Sequence, residues 1–371
     1  SAVILVLLIL SIKCNGQFNL HFIGVEKEIL KEIQAIEIAK DSISALREVN
    51  RVETDLYSKG YLIANTDSIH WSPNSANIYL NVGETFHWAS IKKGNVADIA
   101  LIKSGYRSRI LDQKKINAKS IAKLHYALLS YYENNGYPFA SSKLTHINYE
   151  DALSLSAELK IDKGPIKRID SIIVIGTAKI SKIYLSNYIG IKQGSVYNQS
   201  KLSEIDSKLN ELSFVKVSRS AQISFTKKYT KLYLFLDHVN SSQFNGILGI
   251  LPDNVSGKVT ITGDAKIVLK NAFTKGEQIS LNWRKLQSLT QDLDISINYP
   301  FMFQGPLGVD GKLKVYKRDT SYIELQQRLG LQYLLSGGNY LMVFFDNYSS
   351  SLLDASKYAS SSVLPPFADV K

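Results

Sequence analysis

Two hydrophobic periodicities divide the chain near Asn240. Before it, apolar residues recur at helical spacing between short alternating runs; after it, only alternation is left. Ile121, Leu124, Leu128 and Tyr131 fall at i, i+3, i+7 and i+10, and Leu202, Ile205, Leu209 and Leu212 do the same. Each set predicts an amphipathic helix. Leu232, Leu234 and Leu236 alternate with Tyr233, Phe235 and Asp237, which predicts a half-buried strand. Helical stretches over Ser42–Ser58 and Asn117–Asn134 each end at a Gly-Tyr pair, Gly60-Tyr61 and Gly136-Tyr137, 76 residues apart. Asn117 and Asn198, 81 residues apart, stand where a second helix starts, and Asn is a good N-cap. The strand Trp88 to Lys93 before Gly94 aligns with Ser171 to Ile175 before Gly176. The front of the chain therefore reads as three repeats of strand, helix, helix, strand, strand, each of about 75 to 80 residues.

Beyond Asn240 the runs are longer. Ile279, Leu281 and Trp283 alternate with Ser280, Asn282 and Arg284; Leu293, Ile295, Ile297 and Tyr299 alternate with Asp294, Ser296 and Asn298. Ile323, Leu325, Leu329, Leu331, Tyr333 and Leu335 share one parity, with Gln327 the polar intruder. Strands of a soluble sandwich run nearer ~5 to 6 residues, whereas a transmembrane barrel needs ~9 to 11, apolar outward and polar inward. Strand length favours the barrel, with Ile279, Leu281, Trp283, Leu293, Ile295, Ile297, Tyr299, Leu329, Leu331 and Tyr333 facing lipid. Six or seven strands are expected before Lys371. That is short of the eight at which such barrels begin, so the sequence reads as cut inside the barrel.

Composition adds a compartment. No stretch of ~18 uncharged apolar residues exists, which excludes a spanning helix. Ala2 to Leu10 is an apolar run followed by Cys14 and Gly16 at −3 and −1 of a cleavage site before Gln17, the pattern of a secretory leader. The chain opens on Ser1 without a Met or basic start, so it reads as a fragment at this end too. Cys14 is the single cysteine; removal of residues 1–16 leaves none for a disulfide or thiolate. Net charge is +11, of which residues 240–371 carry 13 basic and 11 acidic side chains and the front part the rest. No basic run of five occurs, so a solvated surface that faces anionic lipid or acidic partners is favoured over nucleic-acid binding.

A leader, repeated β-α-α-β-β units and a barrel together resemble the POTRA-plus-barrel superfamily of outer-membrane assembly proteins, the BamA/TamA-like bacterial surface antigen family. The most specific stretch runs from Ile161-Asp162-Lys163-Gly164-Pro165 through Ile172-Ile173-Val174-Ile175-Gly176, similar to a junction between two POTRA units. The fold class expected is α+β tandem POTRA repeats followed by an antiparallel transmembrane β-barrel, incomplete in this chain. The divisions are a signal peptide at 1–16, POTRA-like units at 17–84, 85–164 and 165–239, and part of a barrel at 240–371.

The resemblance implies a protein assembly and insertion factor of the bacterial outer membrane, with its POTRA domains in the periplasm. The implied partners are unfolded outer-membrane or secreted polypeptides, accessory periplasmic or lipoprotein subunits, and outer-membrane lipid, with no nucleic acid. Alternatives are a dedicated polypeptide transporter of the two-partner-secretion type, or a structural barrel with partner-binding periplasmic domains. In POTRA units the second strand lies at an edge, here about Tyr61 to Trp71, Tyr137 to Tyr149 and Val215 to Phe225. Ile63, Asn65, Phe139, Ser141, Val217, Ser218 and Ser220 are then the client-binding positions by β-augmentation. The same strands also suit a plain solvent-facing role.

No catalytic role is expected. His21, His70, His87, His125, His146 and His238 form no ligand-like spacing, and no P-loop, dinucleotide or G-x-S-x-G signature occurs. Cofactors and metals are expected to be none. Asp292 and Asp294 share a strand parity and are read as lumen-facing charges.

Overall fold

The computed structural model describes residues 18–107, 112–252, 257, 259–287, 289–353 and 369–370. The leader reading, with Cys14 and Gly16, lies outside the described residues. The chain divides into two compact bodies, residues 1–133 with 139–165, and residues 134–138 with 166–371.

The first body holds two sheet-and-helix modules. In the first, β1 (Phe18–Ile23), α1 (Lys27–Glu32), β2 (Ile38–Ala39), α2 (Ser42–Ser58), β3 (Asn65–Ser72) and β4 (Ser75–Asn81) follow in order. The sheet order is β2-β1-β4-β3, with β1 and β4 parallel. Asp41 caps α2 by accepting from the Ser44 amide at 2.7 Å. The buried side of α2 (Ala45, Val49, Val52, Leu56) packs on Leu20, Ile78 and Leu80 of the sheet. Fully burying each of these valine, leucine or isoleucine side chains contributes about 1.5–3 kcal/mol. The repeat predicts three strands here; β2 makes a fourth.

The second module comprises β5 (His87–Lys92), α3 (Asp98–Lys103), α4 (Ala118–Asn134), β6 (Ser141–Asp151) and β7 (Ser154–Asp162), with sheet order β5-β7-β6. The Asn117 side chain accepts from the Ser120 amide at 3.2 Å at the start of α4. The core face of α4 is Leu124, Leu128 and Tyr132, an i, i+4, i+8 row; Tyr131, placed there by the sequence reading, is only partly buried.

The second body begins with a third module: β8 (Ser171–Ile175), α5 (Lys182–Ile189), α6 (Gln199–Ser203), α7 (Ile205–Asn210), β9 (Val215–Phe225) and β10 (Thr230–His238), order β8-β10-β9. The single helix expected from Asn198 onward breaks at Glu204 into α6 and α7. Its apolar row still runs across the break, with Ile205, Leu209 and Leu212 buried against Leu232, Leu234 and Leu236.

Four residues after β10 an antiparallel sheet starts. It runs β11 (Gln243–Pro252), β12 (Val259–Lys270), β13 (Gln278–Lys285), β14 (Gln291–Met302), β15 (Leu307–Arg318), β16 (Tyr322–Leu334), β17 (Tyr340–Leu352) and β18 (Asp369–Val370), each paired to the next. Where six or seven strands are expected, the described residues hold seven long ones and a two-residue eighth.

The third module is seated on one end of this sheet. The Ser181 amide donates to Thr274 O at 2.7 Å, Asn271 Nδ2 donates to Lys179 O at 2.9 Å, and the Gly337 amide donates to Tyr188 O at 3.0 Å. The Tyr184 ring stacks on Tyr188 and meets Phe301 edge-on, centroids 5.6 and 5.4 Å apart. Phe301 and Leu334 of the sheet belong to the same buried cluster as the module's own core. Burial raises the Tyr184 hydroxyl pKa far above its ordinary value; burial and the neighbouring Glu211 carboxylate push Tyr188 up to about 12.

Candidate binding edges and apolar face

The strands expected to bind clients are edge strands: β3, β6 and β9 each end their sheet. Asn65 and Ser141 open β3 and β6, and Val217, Ser218 and Ser220 lie within β9. Ile63 and Phe139 do not belong to these strands. Each precedes its strand by two residues, because the extended backbone begins later than the β-rich sequence around Tyr61 and Tyr137 implies.

In the first two modules the opposite edge is covered. β2 pairs along β1, and the Leu20 amide donates to Glu37 O at 2.8 Å. Along β5, the Trp88 amide donates to Lys114 O at 2.8 Å and the Ile116 amide to Phe86 O at 2.9 Å. Two unrelated segments therefore satisfy the backbone groups of one edge and leave the other open. Neither segment carries a periodic signal, so neither is legible in the sequence.

Each open strand is also bulged. Asp67 is the extra residue in β3; β6 shifts register between Thr145 and Asn148 and again between Tyr149 and Asp151. β9 shifts between Val217 and Arg219 and again between Arg219 and Gln222, so Ser218 and Ser220 sit at irregular points of the ladder. Bulges interrupt pairing and bend an edge. A groove of about 220 Å³ runs between β9 and the helices α6 and α7, lined by Leu202, Asp206, Ala221 and Ile223 among others. In the second module His125 Nδ1 lies 2.6 Å from Ser142 Oγ of β6, and burial lowers the His125 pKa.

The large sheet has two chemically distinct faces. Cross-strand registers put Ile279 beside Ile297, Leu281 beside Ile295 and Trp283 beside Leu293. They continue from Ile297 through Gly311 to Leu329, and from Tyr299 through Val309 to Leu331; Tyr333 faces Leu307. All ten positions expected to meet lipid thus share one face. Leu331 is 64% exposed, and Val343 and Phe345 beside this row are 81% and 72% exposed. The other face carries charge: Arg284 with Asp264 at 2.8 Å, Lys312 with Asp294 at 3.3 Å, and Arg328 with Asp346 at 2.6 Å. Asp292 and Asp294 fall on this face. On β13 to β15 both faces are mostly half-buried, but on β16 Leu329, Leu331 and Tyr333 are exposed while Arg328, Gly330 and Gln332 on the opposite face are half-buried or buried. That inverts the usual pattern of a water-soluble sheet.

Among the described residues no three His, Cys, Asp or Glu side chains gather as a metal site, and no helix is long and apolar enough to cross a membrane.

Residues 167–237, from the strand before α5 to the last strand of the third module, match the POTRA family, described as a surface antigen variable number repeat. The third module belongs to the POTRA family. The chain thus carries a POTRA domain directly ahead of an antiparallel sheet, with two further sheet-and-helix modules before it. Solved structures to which the chain is similar include BamA of Haemophilus ducreyi lacking POTRA domains 1–3. It is 14% identical with a TM-score of 0.46, over 74% of this chain and 55% of that one. CdiB of Acinetobacter baumannii is 16% identical with a TM-score of 0.45, over 89% and 64%. POTRA3–5 of Haemophilus influenzae BamA is 14% identical with a TM-score of 0.40, over 60% and 98%. A curated relative, the chromosomal replication initiator protein DnaA of Borrelia hermsii, is 25% identical over 228 residues, 59% of this chain and 44% of that protein. The chain spans less than half the length of that relative. Its own sequence has no G-x-x-x-x-G-K-S/T loop to support a nucleotide-binding reading.

Proposed function

We propose that the chain is part of an outer-membrane protein assembly factor. Its POTRA-type modules lie in the periplasm and take hold of unfolded polypeptides by β-augmentation. Its large sheet is part of a transmembrane barrel that aids their insertion or translocation. The observation that carries this reading is the exposed apolar face opposite a charged one, on strands of up to 13 residues. At about 3.4 Å per residue and a tilt near 40°, such strands cross a hydrocarbon core of ~30 Å. The open edges β3, β6 and β9 support the capture step, since main-chain pairing makes little demand on client sequence. Only four residues separate β10 from β11, the free edge of the large sheet. A strand held at β9 is thereby kept near the sheet it would join.

The test is depletion of the full-length protein followed by quantification of every outer-membrane protein by mass spectrometry. A broad fall in unrelated barrels is expected. Loss of one secreted or surface protein with other barrels intact would replace this reading with a dedicated transporter. Unchanged barrels and secretion would leave a structural role for the sheet.

A further inference from the structure

Two of the three open edges are already occupied by a carboxylate. In the first module Glu53 of α2 reaches across to β3, and its Oε1 accepts from the Thr66 amide at 2.7 Å. In the third, Asp206 of α7 reaches across to β9, and its Oδ1 accepts from the Ala221 amide at 3.0 Å. Both amides sit at a register break, where a bulge turns a donor away from the ladder. Asp206, Ala221 and Ile223 also line the groove between β9 and α6–α7. In the second module β6 is bulged as well, but the helix side chain against it is His125, which meets the Ser142 hydroxyl and not a backbone amide.

We infer that Glu53 and Asp206 are displaceable stand-ins for a client carbonyl, which set how tightly the first and third modules hold an extended polypeptide. This rests on the capture reading above and specifies its regulation. The chemistry follows from the atoms. A strand added to an edge offers carbonyl oxygens to edge amides. A carboxylate on such an amide makes a charge-assisted hydrogen bond, roughly twice as strong as a neutral one. The client must break that bond to use the donor. The occupied edge is therefore protected against irreversible pairing, yet opens to a chain that gains several bonds at once. In the third module the side chain also lies within the groove the client needs, so displacement frees space along with the donor.

The alternative for these carboxylates is a tether that fixes helix to strand, and the two roles predict opposite signs. The experiment uses the full-length protein in nanodiscs and a synthetic 12-residue peptide of alternating apolar and polar residues carrying a photo-crosslinker. Crosslinks are mapped to β3, β6 and β9 by mass spectrometry at subsaturating peptide. Asp206→Ala should raise crosslinking at β9 about tenfold, the equivalent of ~1.4 kcal/mol, with β3 and β6 unchanged. Glu53→Ala should do the same at β3 alone. Asp206→Asn, which keeps shape and an acceptor but no charge, should fall between, and it serves if exchange protection at Leu232 and Leu234 shows that the alanine variant disturbs the module. A decrease or no change at β9 in both Asp206 variants, with the wild type still crosslinked at its edges, overturns the stand-in role and leaves capture intact. No crosslink to any edge in wild type or variants overturns the capture reading itself.

Discussion

Gly276 offers the sharpest test of how the POTRA domain is fastened to the large sheet. It lies in the turn between β12 and β13 with φ +74°, and a Cβ there would stand 2.0 Å from Cε2 of Tyr184. Tyr184 is 6% exposed and wedged between Tyr188 and Phe301, so its ring has no free direction to move. Gly276→Ala therefore meets two costs. The left-handed backbone costs an alanine about 1–2 kcal/mol, and forcing the ring aside adds about 1–3 kcal/mol of overpacking. Gly194, in the same body, has φ +82°, and a Cβ there would have nothing within 4 Å; Gly194→Ala meets the first cost alone. The difference between the two variants isolates the packing contribution at ~1–3 kcal/mol. Tyr184→Ala by itself should cost about 3–5 kcal/mol, but it removes the atom Gly276→Ala strikes. The double variant should then be less destabilised than the sum by the same ~1–3 kcal/mol. Opening free energies from hydrogen exchange at Leu185, Tyr188 and Leu232 in the solubilised protein give all four values. Equal effects of the two glycine variants, or strict additivity with Tyr184→Ala, would refute the fastening argued here.

Three further outcomes are expected. Ser218→Pro removes an N–H at a bulge, where proline is tolerated, so client crosslinking at β9 should fall while exchange protection of β10 stays; unchanged crosslinking would count against β9 as the capture edge. Leu331→Arg on the apolar face should cost ~2–4 kcal/mol near a bilayer midplane and lower the urea-resistant membrane fraction, whereas Gln326→Arg on the charged face should not. Burial opposes ionisation of Glu48, but hydrogen bonds from Arg51 and from the Ile36 amide (2.7 Å) outweigh it and hold the carboxyl below its ordinary value. A carboxyl lowered in this way contributes stability above its unfolded pKa, 4.5, and loses it as pH falls through the folded one. The protection factor at Ile36, taken against intrinsic exchange at the same pH, should therefore fall below about pH 4.5, and Glu48→Gln should remove most of that pH dependence.

The repeats and the two-faced sheet were legible because both rest on periodicity. Leu232, Leu234 and Leu236 alternate in sequence and are buried in the fold, and Asn198 caps the helix its position announces, accepting from Lys201 at 2.9 Å. What escaped notice lacks a period. β2 is two residues long, and its pairing with β1 depends on Arg51, which bonds Glu48 and donates to the Ile33 and Gln34 carbonyls to hold the intervening loop. The first helix of the third repeat is expected from the repeat alone; α5 gives little periodicity of its own because it is eight residues long and Ile183 stands exposed off the arc of the buried Tyr184, Leu185, Tyr188 and Ile189. The extra residues of the bulges, and the carboxylates against them, depend on cross-strand register that no single strand encodes.

Under the proposed capture role, the bulges and covered edges bear on how a held polypeptide would be released. β9 spans eleven residues but is broken twice, so an added strand meets only short regular runs. Each backbone hydrogen bond nets about 0.5–1.5 kcal/mol, and three or four of them give ~1.5–6 kcal/mol before any ordering cost; the middle of that range, about 4 kcal/mol, corresponds to millimolar affinity. A long unbroken edge would bind far more tightly and would also pair with any other exposed strand. Weak contacts on several edges would hold an unfolded chain by summed, separable interactions, since linked sites raise overall affinity without strengthening any one of them. The carboxylates at Thr66 and Ala221 push the same balance further toward release. The second module, with no such carboxylate on its edge among the described residues, is then the one with the least to displace.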